Sequence, residues 1–255
     1  MLKLSANLGF LWKELPLEER IQHAAKAGFD AVECHFPYDS DPKSIVKALT
    51  DNNLKMLGLN TAVGKNGAED FGVAAQPNRE QEAQTLIDQA INYAAAINCP
   101  NVHVMAGKTG RTAQAESTFR TNLSYAAQQA KKHNIIILIE PINQRSAPGY
   151  HLSTSAQAVE TIEAVGESNI KMMFDCFHLQ ISEGDLLNRF NETKEYIGHV
   201  QFAAVPDRGE PGSGEVDYGF LLPAIRDAEW DGYFGAEYTP RGELEAGLGW
   251  MSDYR

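Results

Sequence analysis

Eight short apolar runs alternate with eight longer amphipathic patterns along the whole chain, and this alternation restricts the fold more than any other feature of the sequence. The runs are Leu2–Leu8, Ala31–Phe36, Lys55–Asn60, Val102–Ala106, Ile135–Glu140, Lys171–Asp175, His199–Ala203 and Tyr233–Glu237. Helical patterns occupy Leu17–Ala27, Pro42–Asn52, Arg79–Ile97, Ala113–His133, Ser155–Val165, Glu183–Tyr196, Tyr218–Asp227 and Leu244–Ser252. Ile135-Ile136-Ile137-Leu138-Ile139 is continuously apolar, as expected of a strand covered on both faces of a parallel sheet. Gly28 stands where the residue after a helix end should be, and Ser153-Thr154-Ser155 offers N-cap side chains to the fifth helix. Sharing 255 residues among eight strand-plus-helix units leaves roughly 32 for each, the usual allowance of an α/β protein closed as a (β/α)8 TIM barrel. A doubly wound open sheet is the rival, but Asn7-Leu8-Gly9-Phe10-Leu11 follows the first strand where a GxGxxG turn would be needed. No low-complexity linker interrupts the chain, so residues 1–255 are expected to form one domain.

The charge balance excludes several classes of partner. Thirty-four acidic against 22 basic side chains leave a formal net charge of −12, which disfavours nucleic acid and anionic membrane. Cys34, Cys99 and Cys176 are odd in number and scattered, so neither a disulfide framework nor a CxxC zinc site is expected. The start, Met1-Leu2-Lys3-Leu4-Ser5-Ala6-Asn7, becomes polar too early for a signal-peptide core, and no apolar run approaches the ~18 residues of a membrane span. A soluble, cytoplasmic protein is the expectation.

Catalytic groups of such a barrel belong at the C-terminal ends of its strands. Four consecutive runs carry a ligand-type side chain there: Glu140, Asp175, Gln201 and Glu237, spaced by 35, 26 and 36 residues, about one unit each. An acid after an apolar strand is often only a helix cap or a solvated loop residue, but four in register are hard to explain by capping. Three carboxylates and one amide oxygen form a hard, oxygen-rich set suited to a divalent metal, Mg2+ or Mn2+, and poorly suited to Zn2+. Pro141 favours extended backbone at Glu140, so its carboxylate should project from a strand end.

Other polar residues are more ambiguous. His178, just beyond Asp175, could donate a hydrogen bond to a substrate oxygen as a neutral imidazole, or be a satisfied buried histidine. The segment Val205-Pro206-Asp207-Arg208-Gly209-Glu210-Pro211-Gly212-Ser213-Gly214-Glu215 suits a structured loop over the barrel mouth. Arg208 is its natural fork for a substrate carboxylate or hydroxyls, unless it pairs at the surface with Glu210 or Glu215. Lys108, past the fourth strand, could attract an anionic substrate, whereas His103, Trp12, Trp230 and Trp250 read as packing residues. Gly107-Lys108-Thr109 lacks the upstream glycine of a P-loop, since that position is Val102, and no GxSxG nucleophile is present.

Ile139-Glu140-Pro141-Ile142-Asn143, Phe174-Asp175-Cys176-Phe177-His178 with Glu183-Gly184-Asp185-Leu186, Gly198-His199-Val200-Gln201, Arg208 to Glu215, and Glu237-Tyr238 with Glu245-Ala246-Gly247-Leu248 share an order and spacing. In these pieces, and over almost its entire length, the chain resembles the hydroxypyruvate isomerase family within the xylose isomerase-like barrels. Gln201 is distinctive, because related ketose 3-epimerases usually present histidine there. The resemblance implies that Glu140 and Glu237 are both metal ligands and the acid/base pair. It further implies that Asp175 and Gln201 complete the metal site, and that His178 and Arg208 hold the substrate. The implied reaction interconverts hydroxypyruvate and tartronate semialdehyde through an enediolate. Ala203-Ala204-Val205-Pro206 replaces the family's Ala-Asp-Asn-Pro, and the segment from Val63 to Gly72 also departs from the best-known members. A 2-oxo-tetronate isomerase, a ketose 3-epimerase or a sugar-acid binding barrel without turnover would use the same residues. An abasic-site endonuclease would require clustered histidines and a basic groove, against seven scattered histidines and the negative charge. Oligomeric state is not legible, since Trp12, Phe36 and Trp250 suit core and interface equally.

Overall fold

The computed structural model describes residues 1–254. Strand β1 (Leu4–Asn7) pairs in parallel with β2 (Ala31–Glu33) on one side and β8 (Phe234–Ala236) on the other. From β8 the parallel pairing continues through β7 (Ile197–Phe202), β6 (Ile170–Asp175), β5 (Ile136–Ile139) and β4 (Asn101–His103) to β3 (Leu59–Asn60). The ring closes between β2 and the residues before β3 through a parallel bridge, Val32 to Met56. Around it the Val32 N–H donates to the Lys55 carbonyl at 2.9 Å, Leu57 N–H to Val32 at 2.7 Å and Cys34 N–H to Gly58 at 3.1 Å. The predicted barrel is therefore present; six of the strands end one to three residues before their apolar runs as the chain enters the rim loops, whereas β3 and β6 end with theirs.

Helices α1 (Leu17–Lys26), α2 (Pro42–Asp51), α3 (Glu80–Ala96), α4 (Ala113–Lys131) and α5 (Ser155–Val165) follow the first five strands. Their starts are chemically marked: Asp41, Thr112 and Thr154 each accept a backbone N–H three residues on, and Pro42 supplies the preset φ of a first turn. Gly28 and Gly166 terminate α1 and α5 with φ of 89° and 73°, which a Cβ would disfavour. After β6 the structure departs from the expected single helix over 183–196. A short helix α6 (Cys176–Ser182) begins directly on Asp175, and α7 (Leu186–Thr193) follows only after Asp185 takes a left-handed conformation, φ 54°. Cys176-Phe177-His178-Leu179 is buried on every side, so it shows no amphipathic period by which a helix could be read. Helices α8 (Tyr218–Asp227) and α9 (Leu244–Gly247) complete the ring, and a 3-10 segment, Leu248–Tyr254, packs Trp250 against Phe29, Phe202, Tyr238 and Tyr254.

The main apolar core lies between strands and helices, where Leu4, Val32, Ile137, Ile139, Phe174, Phe202 and Phe234 meet Ile21, Phe119, Leu123 and Leu222. The barrel interior is different. Ser5, Asn7, Glu33, His103, His199 and Gln201 are all buried, where branched apolar side chains usually fill such a barrel. No helix among the described residues is long and apolar enough to cross a membrane.

Candidate active site

The rim at the C-terminal strand ends surrounds a cavity of about 440 Å³. Glu140, His178, Arg208 and Glu237 line its floor, with His35, Asn60 and His103, while Phe10, Phe36, Val63, Phe71 and Met105 supply apolar wall. Asp175 and Gln201 are paired across β6 and β7, and Gln201 is paired in turn with Gly235 on β8, two residues before Glu237. Asp175 is fixed by its own helix: Oδ1 accepts the Phe177 N–H at 2.8 Å as the cap of α6, which leaves Oδ2 toward the mouth. One turn on, His178 Nε2 lies 3.6 Å from Asp175 Oδ2 and 3.8 Å from Glu140 Oε1.

The tautomer of His178 follows from its neighbours. The Asn143 side-chain oxygen accepts the Ser146 N–H at 2.8 Å, so the Asn143 amide nitrogen faces His178 Nδ1 at 2.7 Å, and the Asn143 backbone N–H also donates there at 3.3 Å. Nδ1 is an acceptor and the proton sits on Nε2. Glu140, Asp175 and His178 bring ligand atoms within 4.8 Å of one another. With Nε2 protonated, however, the histidine serves as a hydrogen-bond donor beside the two carboxylates. Burial, and then the Arg208 charge, hold its imidazole neutral well below the ordinary histidine range.

Arg208 enters this floor from a left-handed backbone position, φ 57°. Its Nη2 donates to Glu237 Oε2 at 2.6 Å and to Asp175 Oδ2 at 3.3 Å, and its plane lies over Phe10 and Phe177 at 4.7 and 5.0 Å. The surface alternative belongs to another residue: Arg241 takes Asp207 and Glu210. Arg208 makes the two glutamates unequal. Burial pushes Glu140 well above the usual carboxylate range, reinforced by the negative Glu237 and Asp175. Burial would raise Glu237 as well, but Arg208 and then His35, whose Nε2 lies 3.0 Å from Oε1, hold it down at about 2. Asp175 is raised to about 7 by burial, against the opposing pull of Arg208.

Gln201 connects the floor to the polar interior. Its Nε2 donates to Glu33 Oε1 at 2.7 Å, and its Oε1 is buried without a hydrogen-bond partner. An unpaired buried amide oxygen on the strand position paired with Asp175 is a donor that suits a hard divalent cation, although the carboxylate cluster within 4.8 Å is Glu140 and Asp175 with His178, and does not include Glu237, which Arg208 holds. Below Gln201, Glu33 Oε2 pairs with His199 Nε2 at 2.5 Å, and Asn7 Nδ2 bridges Glu33 Oε1 and Glu237 Oε1 at 3.1 and 3.0 Å. His199 is buried, which alone would lower it, yet Glu33 raises it above the ordinary histidine value. Asn7, Glu33 and His35, absent from the sequence expectations, line the floor or support it from below. The first two end β1 and β2, but the apolar runs continue past both, so the strand ends are not marked along the chain as they are at Glu140.

Lys108 stands apart from the floor. Its Nζ donates to the Ala68 carbonyl at 3.0 Å and lies 5.8 Å from the Phe71 ring, so it braces the segment that forms the apolar wall. His103, expected as core, is buried but faces Glu140, Nδ1 to Oε2 at 3.6 Å, with neither ring nitrogen hydrogen-bonded; burial lowers it to about 3. His35, His103, His178 and His199 thus gather at the barrel mouth and interior. Histidines scattered in sequence are not scattered in space, because neighbouring rim positions of a barrel lie about one unit apart along the chain.

Residues 21–254 match the sequence profile of the xylose isomerase-like TIM barrel family. Over 258 residues the chain is 40% identical to the hydroxypyruvate isomerase of Escherichia coli K12, covering 100% of each. It is also 40% identical over 257 residues to a 2-oxo-tetronate isomerase of Pectobacterium atrosepticum, covering 100% of this chain and 98% of the relative. A solved structure from Brucella melitensis, described as an AP endonuclease of family 2, superposes with a TM-score of 0.96 at 38% identity, covering 100% of each chain.

Proposed function

The chain belongs to the hydroxypyruvate isomerase family of xylose isomerase-like TIM barrels, and on that basis we propose that it is a ketol isomerase interconverting hydroxypyruvate and tartronate semialdehyde. The observation that carries the reading is the convergence of Glu140 and Glu237 on one cavity floor with Asp175, His178 and Arg208. Isomerisation removes a proton from carbon 3 and returns one to carbon 2, while the hydroxyl proton passes from the oxygen of carbon 3 to that of carbon 2. One of the two glutamates takes the carbon-bound proton and the other delivers one to the neighbouring carbon. The His178 Nε2–H donates to a substrate oxygen, and Arg208, in contact with the Phe10 and Phe177 rings, orients the acid. A Mg2+ or Mn2+ ion held by Glu140, Asp175, Gln201 and Glu237 would supply Lewis-acid stabilisation of negative charge developing on the substrate oxygens. Lys108 adds positive potential at the rim from its tether on Ala68. The apolar wall of Val63, Phe71 and Met105 limits water at the reacting carbons.

A 2-oxo-tetronate, one carbon longer, is the second reading, supported by the equal 40% identity to a 2-oxo-tetronate isomerase and accommodated by a cavity of about 440 Å³. An endonuclease is disfavoured by the net charge of −12 and by aromatic and aliphatic walls where a phosphate backbone would need lysine or arginine. The test follows proton exchange by NMR in heavy water with hydroxypyruvate and four-carbon 2-keto acids. Glu140→Gln and Glu237→Gln should each abolish exchange, and near-native turnover in both would remove the two-glutamate chemistry. Full activity after exhaustive chelation, with no metal by elemental analysis, would remove the ion.

A further inference from the structure

We infer that Glu33 is a positioning residue: it fixes the side-chain amide of Gln201 so that the oxygen, not the nitrogen, is the atom left for a divalent cation. The inference rests on the metal site proposed above and adds a residue that touches neither substrate nor ion. The two ends of a glutamine amide are nearly alike in size and shape, so Gln201 needs an outside partner to choose between them. Glu33 is such a partner. It is buried, and its two oxygens receive Gln201 Nε2 at 2.7 Å, Asn7 Nδ2 at 3.1 Å, His199 Nε2 at 2.5 Å and Ser5 Oγ at 3.4 Å. Surrounded by donors, its oxygens act as acceptors, and turning the Gln201 amide over would set oxygen against oxygen. The backbone makes room for this arrangement: a Cβ on Gly235, the β8 neighbour of Gln201, would lie 2.7 and 2.8 Å from the Glu33 oxygens. The same carboxylate reaches a second ligand, because Asn7 bridges it to Glu237. A carboxyl group in a barrel interior is costly unless its oxygens are paired, and here the bonds from Gln201 and Asn7 lead toward the rim while those from His199 and Ser5 hold the group from below.

The test is a titration of the purified protein with Mn2+ alone, by calorimetry and by electron paramagnetic resonance of the free ion. Glu33→Gln offers Gln201 an amide that can donate as well as accept, so the preference is lost. Its Mn2+ affinity should fall on the order of 10- to 100-fold, the usual effect of losing a group that orients a metal ligand. Tight binding by the wild type together with unchanged affinity in a folded Glu33→Gln protein would overturn the positioning role and leave the metal site standing. Absence of Mn2+ binding by the wild type would overturn both. Should Glu33→Gln fail to fold, the wild type decides: the Gln201 amide protons, assigned in a glutamine-labelled sample by their loss in Gln201→Glu, should exchange slowly with solvent. Fast exchange would overturn the inference.

Discussion

At the scale of single residues, Gly235 is the position where a change of one methyl group reaches furthest. Alanine there places a carbon 2.7 Å from a Glu33 oxygen, and neither strand can retreat without breaking the register that aligns Gln201 with Gly235. Gly235→Ala should cost about 1–3 kcal/mol, typical of overpacking, and weaken Mn2+ binding at the same time, read by thermal melts and by titration. A destabilised variant with full Mn2+ affinity would separate the two effects. The rim residues differ in how legible they are. Glu140, Asp175 and Glu237 each terminate an apolar run, which marks a strand end. Glu33 closes its strand just as they do, but Cys34, His35 and Phe36 prolong the run, so a strand end looks like mid-strand. The partner of Arg208 is invisible along the chain, because Asp175 and Glu237 lie 33 and 29 residues away while Glu210 is two.

At the scale of elements, the segment between β3 and α3 is a braced wall. Arg79 holds both oxygens of Asp70 at 2.6 and 2.8 Å and also pairs with Glu82, while the chain around Gly72 bridges to Ala106. The Arg79 hydrogen bonds, partly offset by burial, keep the Asp70 carboxyl well below the usual carboxylate range. A group depressed on folding lends stability above its ordinary pKa, near 3.9, and loses it as pH falls toward the folded value. Arg79→Met should therefore lower the melting temperature at neutral pH, speed proteolysis within residues 64–72, and differ progressively less from wild type below about pH 4. A gap of constant size down to pH 2 would mean the ion pair is not its source. Elements are legible where an amphipathic stripe or a cap announces them, as for α2, α4 and α5. Helix α6 is not, because a helix buried all round carries no stripe, although Asp175 two residues before the Phe177 N–H is the cap that forms it.

At the scale of the whole molecule, alternation of runs and helices reveals the barrel, but not where it is weakest. The closure between β2 and β3 rests on an isolated bridge, whereas β6 and β7 pair over six-residue strands. Native-state hydrogen exchange should find the amides of Val32, Cys34 and Leu57 opening well before those of β6 and β7. Equal protection around the ring would contradict a preferred seam. The charged interior layer has a different consequence, for how much stability this chain can gain. Replacing Glu33, His199 and Gln201 together by Met, Leu and Leu substitutes well-packed hydrocarbon for a buried ionic network, an exchange that is often stabilising by about 1–4 kcal/mol. Such a protein, followed by denaturant unfolding, should outlast its parent and be inert. Selection for thermal endurance alone would therefore erode the site from beneath.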